Sequence, residues 1–335
     1  MKNAVKIFKY LGAIVLLLVL CIIGYIYSLT FTPFGRMDLG QALFNKLMNA
    51  QEAPFEAFKK MNLEQRRHVF SKIPYPDFAN IDSLKITSDS LKIYIFKPEN
   101  VPANSPIVIY YHGGGFVFPW TTISESNARR YAIAFNRIVV GVDYRVAPEN
   151  PFPIPNNDCY ATFKWVIDNG RSFGGNPDKI IVVGESAGGT LSAYTAQRAR
   201  DEGLNNIKFQ VLDCPAVDIP FNYESYKKLS KAYDNGGTQF TTDSYIPKLE
   251  DRNNKKLFPL YANLSGLPPA FIITYEFDVL KDQGLAYSQK LTEAKVPTRY
   301  LEMKGMLHGI PGPFNVKDRD KVKALVVEES KKYLE

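Results

Sequence analysis

The feature that most restricts the fold of this chain is a series of short apolar runs, each about as long as one β-strand. Five such runs, rich in Val, Ile and Tyr, occupy positions 107–111, 138–142, 180–183, 209–212 and 270–275. Continuous apolar runs of this length are typical of strands buried on both faces. Stretches with helical spacing separate most of them, at 158–169, 187–200, 283–294 and 321–334. Strands that alternate with helices predict an α/β fold, in which a mostly parallel sheet is covered by helices on both faces.

Two segments depart from this alternation. Between residues 37 and 73, the apolar residues fall at roughly helical spacing, with no strand-like run among them. A second segment, at 215–263, is polar and rich in Tyr and Lys, and it contains no clean strand. We interpret the second segment as an insertion that lies over the edge of the sheet.

The first thirty residues have a different composition from the rest. Lys2, Lys6 and Lys9 precede an uncharged, strongly apolar run at 11–27, which is close to the shortest helix that can cross a bilayer. A cleaved signal peptide is the alternative, but the small residues that such a cut requires fit poorly here. Under either interpretation the lysines stay cytoplasmic and the rest is exported. We expect a membrane anchor at 1–30, with a domain at 31–335 on the non-cytoplasmic side; cleavage would instead give a secreted or periplasmic protein.

Charge and cysteine content restrict the possible partners. The chain has 41 Lys and Arg against 34 Asp and Glu, a formal charge of +7, but the basic residues are scattered and accompany no nucleic-acid-binding motif. A solvated basic surface is therefore the better interpretation, and no nucleic-acid partner is expected. The three cysteines show no CxxC spacing, and no cluster of metal-ligand residues is visible in the sequence. We expect neither a metal nor an organic cofactor.

One serine lies in a pattern that is typical of a nucleophile. The sequence GESAGG at 184–189 directly follows a predicted strand and opens a predicted helix. In a G-x-S-x-G turn between strand and helix, the glycines leave room for a tight bend that exposes the serine hydroxyl at the edge of the sheet. This context predicts that Ser186 is a nucleophile.

A second glycine-rich motif follows another predicted strand. The sequence HGGG at 112–115 comes directly after the run at 107–111. Consecutive glycines can present backbone N–H groups with no side chain in the way, and such groups stabilise the oxyanion of acyl transfer together with the N–H of Ala187. A phosphate-binding loop is the alternative, but the G-K-[ST] ending that it needs is absent from this sequence.

A serine nucleophile requires a base, and the chain contains three histidines. His68 lies in the helical N-terminal segment beside two arginines, where a surface position is the simpler interpretation. His112 belongs to the glycine motif and precedes the nucleophile. The remaining histidine, His308, lies in a loop between a predicted strand and the last predicted helix, so elimination selects it as the base.

The acid that orients the base is expected at the end of a strand between Ser186 and His308. Asp278 follows the run at 270–275 and fits this position, whereas its rival Asp282 lies further on, within the next predicted helix. The resulting chain order of serine, aspartate and histidine is the order found in α/β-hydrolases.

These motifs, in this order, resemble the hormone-sensitive-lipase family of α/β-hydrolases over residues 105–310. The matching segments are HGGGF at 112–116, DYRVAPENPFP at 143–153, GESAGG at 184–189, EFDVLKD at 276–282 and HG at 308–309. The resemblance implies the α/β-hydrolase fold, with the family's nucleophile, acid and base at Ser186, Asp278 and His308. It also implies a helical cap over the pocket, formed here by residues near 31–80 and 216–260.

The resemblance assigns further positions. The family's oxyanion donors fall on Gly113, Gly114 and Ala187. Arg145, Pro148 and Glu149 also match, and we expect them to form an ion pair and a turn beneath the site. The chain departs from the pattern at Glu185, where Asp is commoner, at Val279, where Pro is usual, and at Ile310, where Phe is usual; none of these is a triad residue. The aromatic residues after the glycine motif could line a pocket or pack in the core: Phe116, Phe118 and Trp120.

The expected function is serine-dependent hydrolysis of carboxylic esters with short to medium acyl chains, through an acyl-enzyme intermediate. A small-amide or formamide hydrolase with the same triad is one alternative. A non-catalytic ligand-binding protein on the same fold is another, but plant hormone receptors of this kind lack the catalytic histidine, and His308 is present here.

Overall fold

The N-terminal part of the chain is helical except for one small hairpin. In the computed structural model, which describes residues 2–49, 53–71, 81–88, 91–234, 236–254, 257–310, 312 and 314–334, a long helix α1 (Lys2–Ser28) comes first. The hairpin β1 (Phe31–Thr32) and β2 (Gly35–Arg36) follows, and then helices α2 (Leu39–Asn49), α3 (Ala53–Lys59) and α4 (Leu63–Ser71). The expected N-terminal cap segment thus consists of this hairpin and three helices, and its last residues, 72–80, lie outside the described part.

Eight strands form the central sheet. They are β3 (Ile81–Ser88), β4 (Leu91–Pro98), β5 (Ser105–Tyr111), β6 (Val139–Asp143), β7 (Gly175–Glu185), β8 (Ile207–Asp213), β9 (Ala270–Phe277) and β10 (Thr298–Leu307). Their order across the sheet is β10-β9-β8-β7-β5-β6-β4-β3. Strands β5 to β10 run parallel to one another, and β4 pairs antiparallel with both β3 and β6. The predicted, mostly parallel sheet is confirmed.

Helices cover both faces of this sheet, as the alternation of strands and helices predicts. The helices after the strands are α5 (Thr122–Phe135), α6 (Ile154–Asn169), α7 (Ala187–Asp201), α11 (Lys281–Glu293) and α12 (Val316–Leu334). Alternate residues of β5 belong to two separate apolar clusters. Ile109 packs with residues of α6, α7 and α11, whereas Val108 packs with residues of α5 and α12. The two faces of each central strand are therefore both buried, which explains why these strands have continuous apolar sequences.

The polar insertion is helical. It contains α8 (Glu224–Tyr233), α9 (Gly237–Tyr245) and the short α10 (Leu249–Arg252). Residues from α8 and α9 line a cavity above the carboxyl ends of β5, β7 and β9, so the insertion covers that end of the sheet. Because the loops after parallel strands all emerge at this end, the motifs found in the sequence converge under the insertion.

Helix α1 differs from all other described helices in its surroundings. Its segment Tyr10–Ser28 comprises 19 residues with a mean hydropathy of 2.5, and none of it is buried inside the protein. By length and composition, it is the one helix in the described ranges that could cross a membrane.

Candidate active site

Ser186 lies at a strained turn between β7 and α7. Its backbone φ is 55° and ψ is −119°, a conformation that a residue with a side chain rarely adopts. Its N–H donates to the carbonyl oxygen of Asp213 at 2.7 Å, which ties the turn to the end of β8. A β-carbon on Gly184 would lie 2.0 Å from the carbonyl oxygen of Gly188. A β-carbon on Gly188 would lie 1.9 Å from the carbonyl oxygen of Tyr111, so neither position has room for a side chain.

The glycine motif lies directly against this turn. A β-carbon on Gly113 would lie 3.4 Å from the β-carbon of Ser186, and Gly114 has a φ of 116°, which favours glycine. Within the described part of the chain, the backbone N–H groups of Gly113, Gly114 and Ala187 form no hydrogen bond. All three residues line the same cavity as Ser186. Three unpaired donors beside a serine hydroxyl suit the stabilisation of a developing oxyanion.

Asp278 and His308 are joined by a hydrogen bond. The loop after β9 carries Asp278, whose Oδ2 lies 2.7 Å from Nδ1 of His308, in the loop after β10. The other carboxylate oxygen accepts from the backbone N–H of Leu280 at 2.9 Å, so the carboxylate is held at both oxygens. The rival acid, Asp282, instead accepts from the backbone N–H of Ser225 at 2.8 Å. The structure therefore brings Asp278, and not Asp282, to the histidine.

The environment of His308 makes it a stronger base than a free histidine. Burial by itself lowers the pKa of His308, but the charge and the hydrogen bond of Asp278, together with the charges of Asp213 and Asp234, outweigh that effect and raise the pKa above its usual 6.5. The imidazole keeps 40% of its side-chain surface exposed, whereas Asp278 is completely buried, so the carboxylate charge is poorly screened by water. With Nδ1 bound to Asp278, Nε2 is the nitrogen left to exchange a proton.

The loops after β9 and β10 and the glycine motif border one large cavity. The cavity has a volume of about 1230 Å³ and contains Ser186, His308 and Gly113 in its wall. Most of the remaining wall is apolar and includes residues of α2, α3 and the insertion: Phe44, Phe58, Phe116, Phe118, Ile219, Leu257, Phe258, Val279 and Leu307. Space of this size and lining suits an apolar organic ligand.

The aromatic residues after the glycine motif divide into two groups. Phe116 and Phe118 line the cavity, where Phe118 stacks on Phe58 with ring centroids 4.3 Å apart. Trp120 does not line it and instead packs over Gly141 of β6, where a β-carbon would lie 2.4 Å from the indole. The two possibilities left open by the sequence, pocket lining and core packing, are therefore both realised.

The two other histidines have different surroundings. His68 is exposed on α4, as the sequence suggests. His112 is fully buried, stacks on Tyr144 with ring centroids 4.1 Å apart, and has its pKa lowered to about 4 by burial. A histidine with so low a pKa is neutral at physiological pH, and its carbonyl oxygen accepts a hydrogen bond from the Tyr144 hydroxyl at 2.8 Å. His112 thus supports the loop rather than the chemistry.

Two separate ion pairs lie beneath the site, instead of the single pair that was expected. Arg145 binds Asp158, with 2.6 Å between Nη2 and Oδ1, and Glu149 binds Arg66 of α4. Arg66 is only 1% exposed and also donates to the carbonyl oxygens of Val117 and Ala147. The motif at 143–153 contains Glu149 but not its partner, so the sequence alone does not predict that Arg66 binds Glu149.

A group of charged residues lies behind Ser186 and has no signal in the sequence. Asp213, at the end of β8, is buried, and Glu185, at the end of β7, is half-buried. Burial, followed by the neighbouring Glu185 charge, raises the pKa of Asp213 above its usual range. Burial also raises the pKa of Glu185 and lowers that of Lys323 on α12, whose ammonium attracts both carboxylates. Asn127 donates to Glu185 at 3.0 Å and Tyr275 to Asp213 at 2.7 Å.

One set of side chains could hold a metal ion among the described residues. The Sγ of Cys214, a carboxylate oxygen of Asp278 and a ring nitrogen of His308 lie within 4.8 Å of one another. Two of these residues are the predicted acid and base, so this set overlaps the candidate active site.

Comparison with known proteins places this geometry in a family. A model of the alpha/beta hydrolase fold matches residues 108–311. The chain is 33% identical over 289 residues to carboxylesterase NlhH of Mycobacterium tuberculosis, an alignment that covers 84% of this chain and 85% of that protein. It is 34% identical over 233 residues to an arylesterase of Saccharolobus solfataricus, covering 68% of this chain and 76% of that protein.

Solved structures agree with this assignment. A thermostable esterase from Pseudomonas putida superposes with a TM-score of 0.81 at 26% identity, covering 91% of this chain and 99% of that one. The chain belongs to the hormone-sensitive-lipase-like esterases of the alpha/beta hydrolase fold.

Proposed function

We propose that this chain hydrolyses carboxylic esters of short to medium acyl length, with Ser186 as nucleophile, His308 as base and Asp278 as the orienting acid. The hydrogen bond of 2.7 Å between His308 Nδ1 and Asp278 Oδ2, in the wall of a cavity shared with Ser186, is the observation that carries this proposal. Ester hydrolysis is also the reaction for which the relatives of this chain are named.

In the first step, Ser186 attacks the ester carbonyl while His308 takes the hydroxyl proton at Nε2. Asp278 holds the imidazole in the required tautomer and stabilises the imidazolium that forms. The unpaired N–H groups of Gly113, Gly114 and Ala187 donate to the oxyanion of the tetrahedral intermediate, and each such donor contributes about 2.7–4 kcal/mol.

The tetrahedral intermediate collapses when His308 gives its proton to the leaving alcohol, and this completes the first step and leaves the acyl-enzyme. In the second step, His308 takes a proton from a water that attacks the acyl-enzyme through the same oxyanion site, and it then returns that proton to Ser186 as the carboxylic acid leaves. Every proton in this scheme passes through Nε2 of His308.

We assign the cap role to residues near 31–80 and 216–260, because the described residues of both segments contribute to the cavity wall. Phe44 and Phe58 come from the first segment, and Tyr233 and Thr241 come from the second. These side chains line the same cavity as Ser186, so they would contact a bound ester and limit the acyl and alcohol groups that fit.

We further propose that α1 is retained as a membrane anchor, with the catalytic domain on the non-cytoplasmic side. The exposed apolar segment Tyr10–Ser28 supports this topology, as do the lysines that precede it.

The test is hydrolysis of p-nitrophenyl esters, from acetate to decanoate, by the full chain in detergent. Loss of the nucleophile in a serine hydrolase costs on the order of 10⁶ in kcat, so Ser186→Ala should abolish turnover. Ser192→Ala is the matched control, because Ser192 is a fully buried serine of α7 outside the cavity wall and should leave turnover near normal. Equal turnover by Ser186→Ala, or faster cleavage of matched anilides than of esters, would contradict the proposal.

A further inference from the structure

A buried thiol lies beside the proposed base and has no role in ester hydrolysis. Sγ of Cys214 is 3.7 Å from Nε2 of His308, the nitrogen that must accept the serine proton. Cys214 is only 1% exposed, yet it lies in the wall of the active-site cavity. Nothing in acyl transfer requires a sulfur atom at this place.

The backbone at this cysteine is strained. Cys214 has a φ of 43°, in the left-handed region, which a residue with a side chain rarely adopts. Its N–H donates to the carbonyl oxygen of Ile273 at 2.8 Å, and the preceding carbonyl, of Asp213, accepts from Ser186. The turn that fixes the nucleophile therefore also fixes the thiol against His308, and strain held in this way marks functional sites.

His308 is already oriented as a metal-binding histidine would be. In zinc sites, the ligating histidine donates its other ring nitrogen to a carboxylate, which fixes the tautomer and raises the basicity of the ligating nitrogen. Asp278 occupies that carboxylate position on Nδ1, at 2.7 Å. The lone pair then lies on Nε2, and Cys214 Sγ is 3.7 Å from that atom.

The separation of the two atoms fits one edge of a metal tetrahedron. With Zn–S near 2.3 Å and Zn–N near 2.0 Å, tetrahedral geometry places sulfur and nitrogen about 3.5 Å apart. The observed 3.7 Å is within 0.2 Å of that value. A cation bound here would complete its shell with water from the cavity.

We propose that Cys214 Sγ and His308 Nε2 form a binding site for a thiophilic divalent cation, Zn²⁺ or Cd²⁺, whose occupation stops ester hydrolysis. On binding, the thiol releases its proton to solvent, a sulfur–metal bond forms, and the lone pair of Nε2 is donated to the metal. No electron is transferred. Because that lone pair is the one that deprotonates Ser186, the metal-bound protein has no base. The inhibitory consequence rests on the proposed function, whereas the metal site itself does not.

Metal binding can be measured without reference to catalysis. The full chain is titrated with Co²⁺, and the thiolate-to-metal charge-transfer absorption is recorded in a Cys21→Ser background, because Cys21 is an exposed thiol on α1. We expect a saturable band that disappears in Cys214→Ser and in His308→Ala. Cys159→Ser, which removes the other buried thiol, should leave the band unchanged. A band that survives in Cys214→Ser, or no band in the parent, would overturn the site.

Inhibition is the second measurement. Zn²⁺ should inhibit ester hydrolysis reversibly, with recovery on addition of EDTA. Each rate is expressed relative to the rate of the same variant without zinc. Cys214→Ser should raise the zinc concentration that gives half inhibition by at least about tenfold, because loss of an outer-shell partner already lowers metal affinity by that factor. Inhibition that is equal in Cys214→Ser and Cys159→Ser would contradict the proposal. A chain without esterase activity would refute the proposed function, and the Co²⁺ titration would still decide the metal site.

Discussion

At the scale of single residues, the hydrogen bond between Asp278 and His308 is the interaction on which the proposed chemistry most depends. Asp278→Asn keeps the size of the side chain but replaces an acceptor by an amide that can favour the wrong tautomer. We expect kcat for ester hydrolysis to fall by about 10⁴, with a small change in KM. Asp282→Asn is the matched control, since Asp282 bonds to Ser225 and not to His308, and should stay within a few-fold of the parent. Similar losses in both variants would contradict the assignment of Asp278.

The pKa of His308 gives a prediction for the pH profile. A base works only when neutral, so activity is lost as pH falls through the pKa of His308, which Asp278 holds above the usual 6.5. The acidic limb of kcat/KM should therefore be centred above pH 6.5, measured over about pH 5 to 9. NMR titration offers a direct check, because the chain has only three histidines and the pKa of His112 is lowered to about 4. A limb centred below 6.5 would mean that His308 is not the base.

The sequence predicts candidate site residues where the signal is local or the choices are few. Glycines two positions to either side predict Ser186 as nucleophile, and elimination among three histidines predicts His308 as base. Cys214 could not be found in this way, because its contact with His308 depends on a left-handed turn after β8 and on residues 94 positions apart in the chain. Lys323 was missed for the same reason: its attraction to Glu185 exists only once α12 packs against the sheet.

At the scale of elements, the contact between α4 and the loops after β5 and β6 joins the N-terminal segment to the sheet. Arg66 is the centre of this contact, with the carboxylate of Glu149 and two carbonyl oxygens as acceptors. Removing one partner of a buried ion pair typically costs 3–5 kcal/mol. Because Glu149 is one-third exposed and can be rehydrated, we expect Arg66→Met to lower the free energy of unfolding by about 3 kcal/mol, the low end of that range.

Urea denaturation followed by circular dichroism measures this loss. Arg171→Met is the matched control: Arg171 pairs with Asp178, but both side chains are about two-thirds exposed. Exposed pairs contribute at most about 1 kcal/mol, so this variant should unfold almost like the parent. If Arg66→Met were no less stable than Arg171→Met, α4 would not be held to the sheet through this arginine.

The strands could be predicted from the sequence where both of their faces are buried. The central strands have continuous apolar sequences because both of their faces are covered, and all five runs proved to be strands. Strand β3 was missed because it is the edge strand, and most of its described side chains are exposed, among them Asp82 and Lys85. Composition alone indicates only a polar segment for the insertion, and the expectation of helices there comes from the resemblance to the family, since three short helices that pack over a cavity carry little of their stability in local propensity.

At the scale of the whole molecule, α1 is continuous with the folded domain. Tyr27, in its last turn, accepts a hydrogen bond from the Arg36 guanidinium at 2.8 Å, and the guanidinium carbon lies 5.1 Å from the centre of its ring. Leu29, just beyond the helix, packs with Met37 in a small apolar cluster that also contains Phe277 and Leu307. Those last two residues directly precede Asp278 and His308, so the end of α1 is one layer of side chains from the candidate active site.

These contacts favour retention of α1 over its removal as a signal peptide. Cleavage after Ser28 would remove Tyr27 from the Arg36 side chain and would leave Leu29 as the new N-terminus, placing a charged amine within the cluster of Met37. We therefore expect the mature chain to keep its first residues, to sediment with membranes, and to stay there in alkaline carbonate, since none of the 19-residue apolar segment Tyr10–Ser28 is buried inside the protein. N-terminal sequencing of the membrane-bound protein is the measurement. An N-terminus at or beyond residue 29, on a protein released by carbonate, would show that the segment is a signal peptide and that the hairpin at 31–36 forms without it.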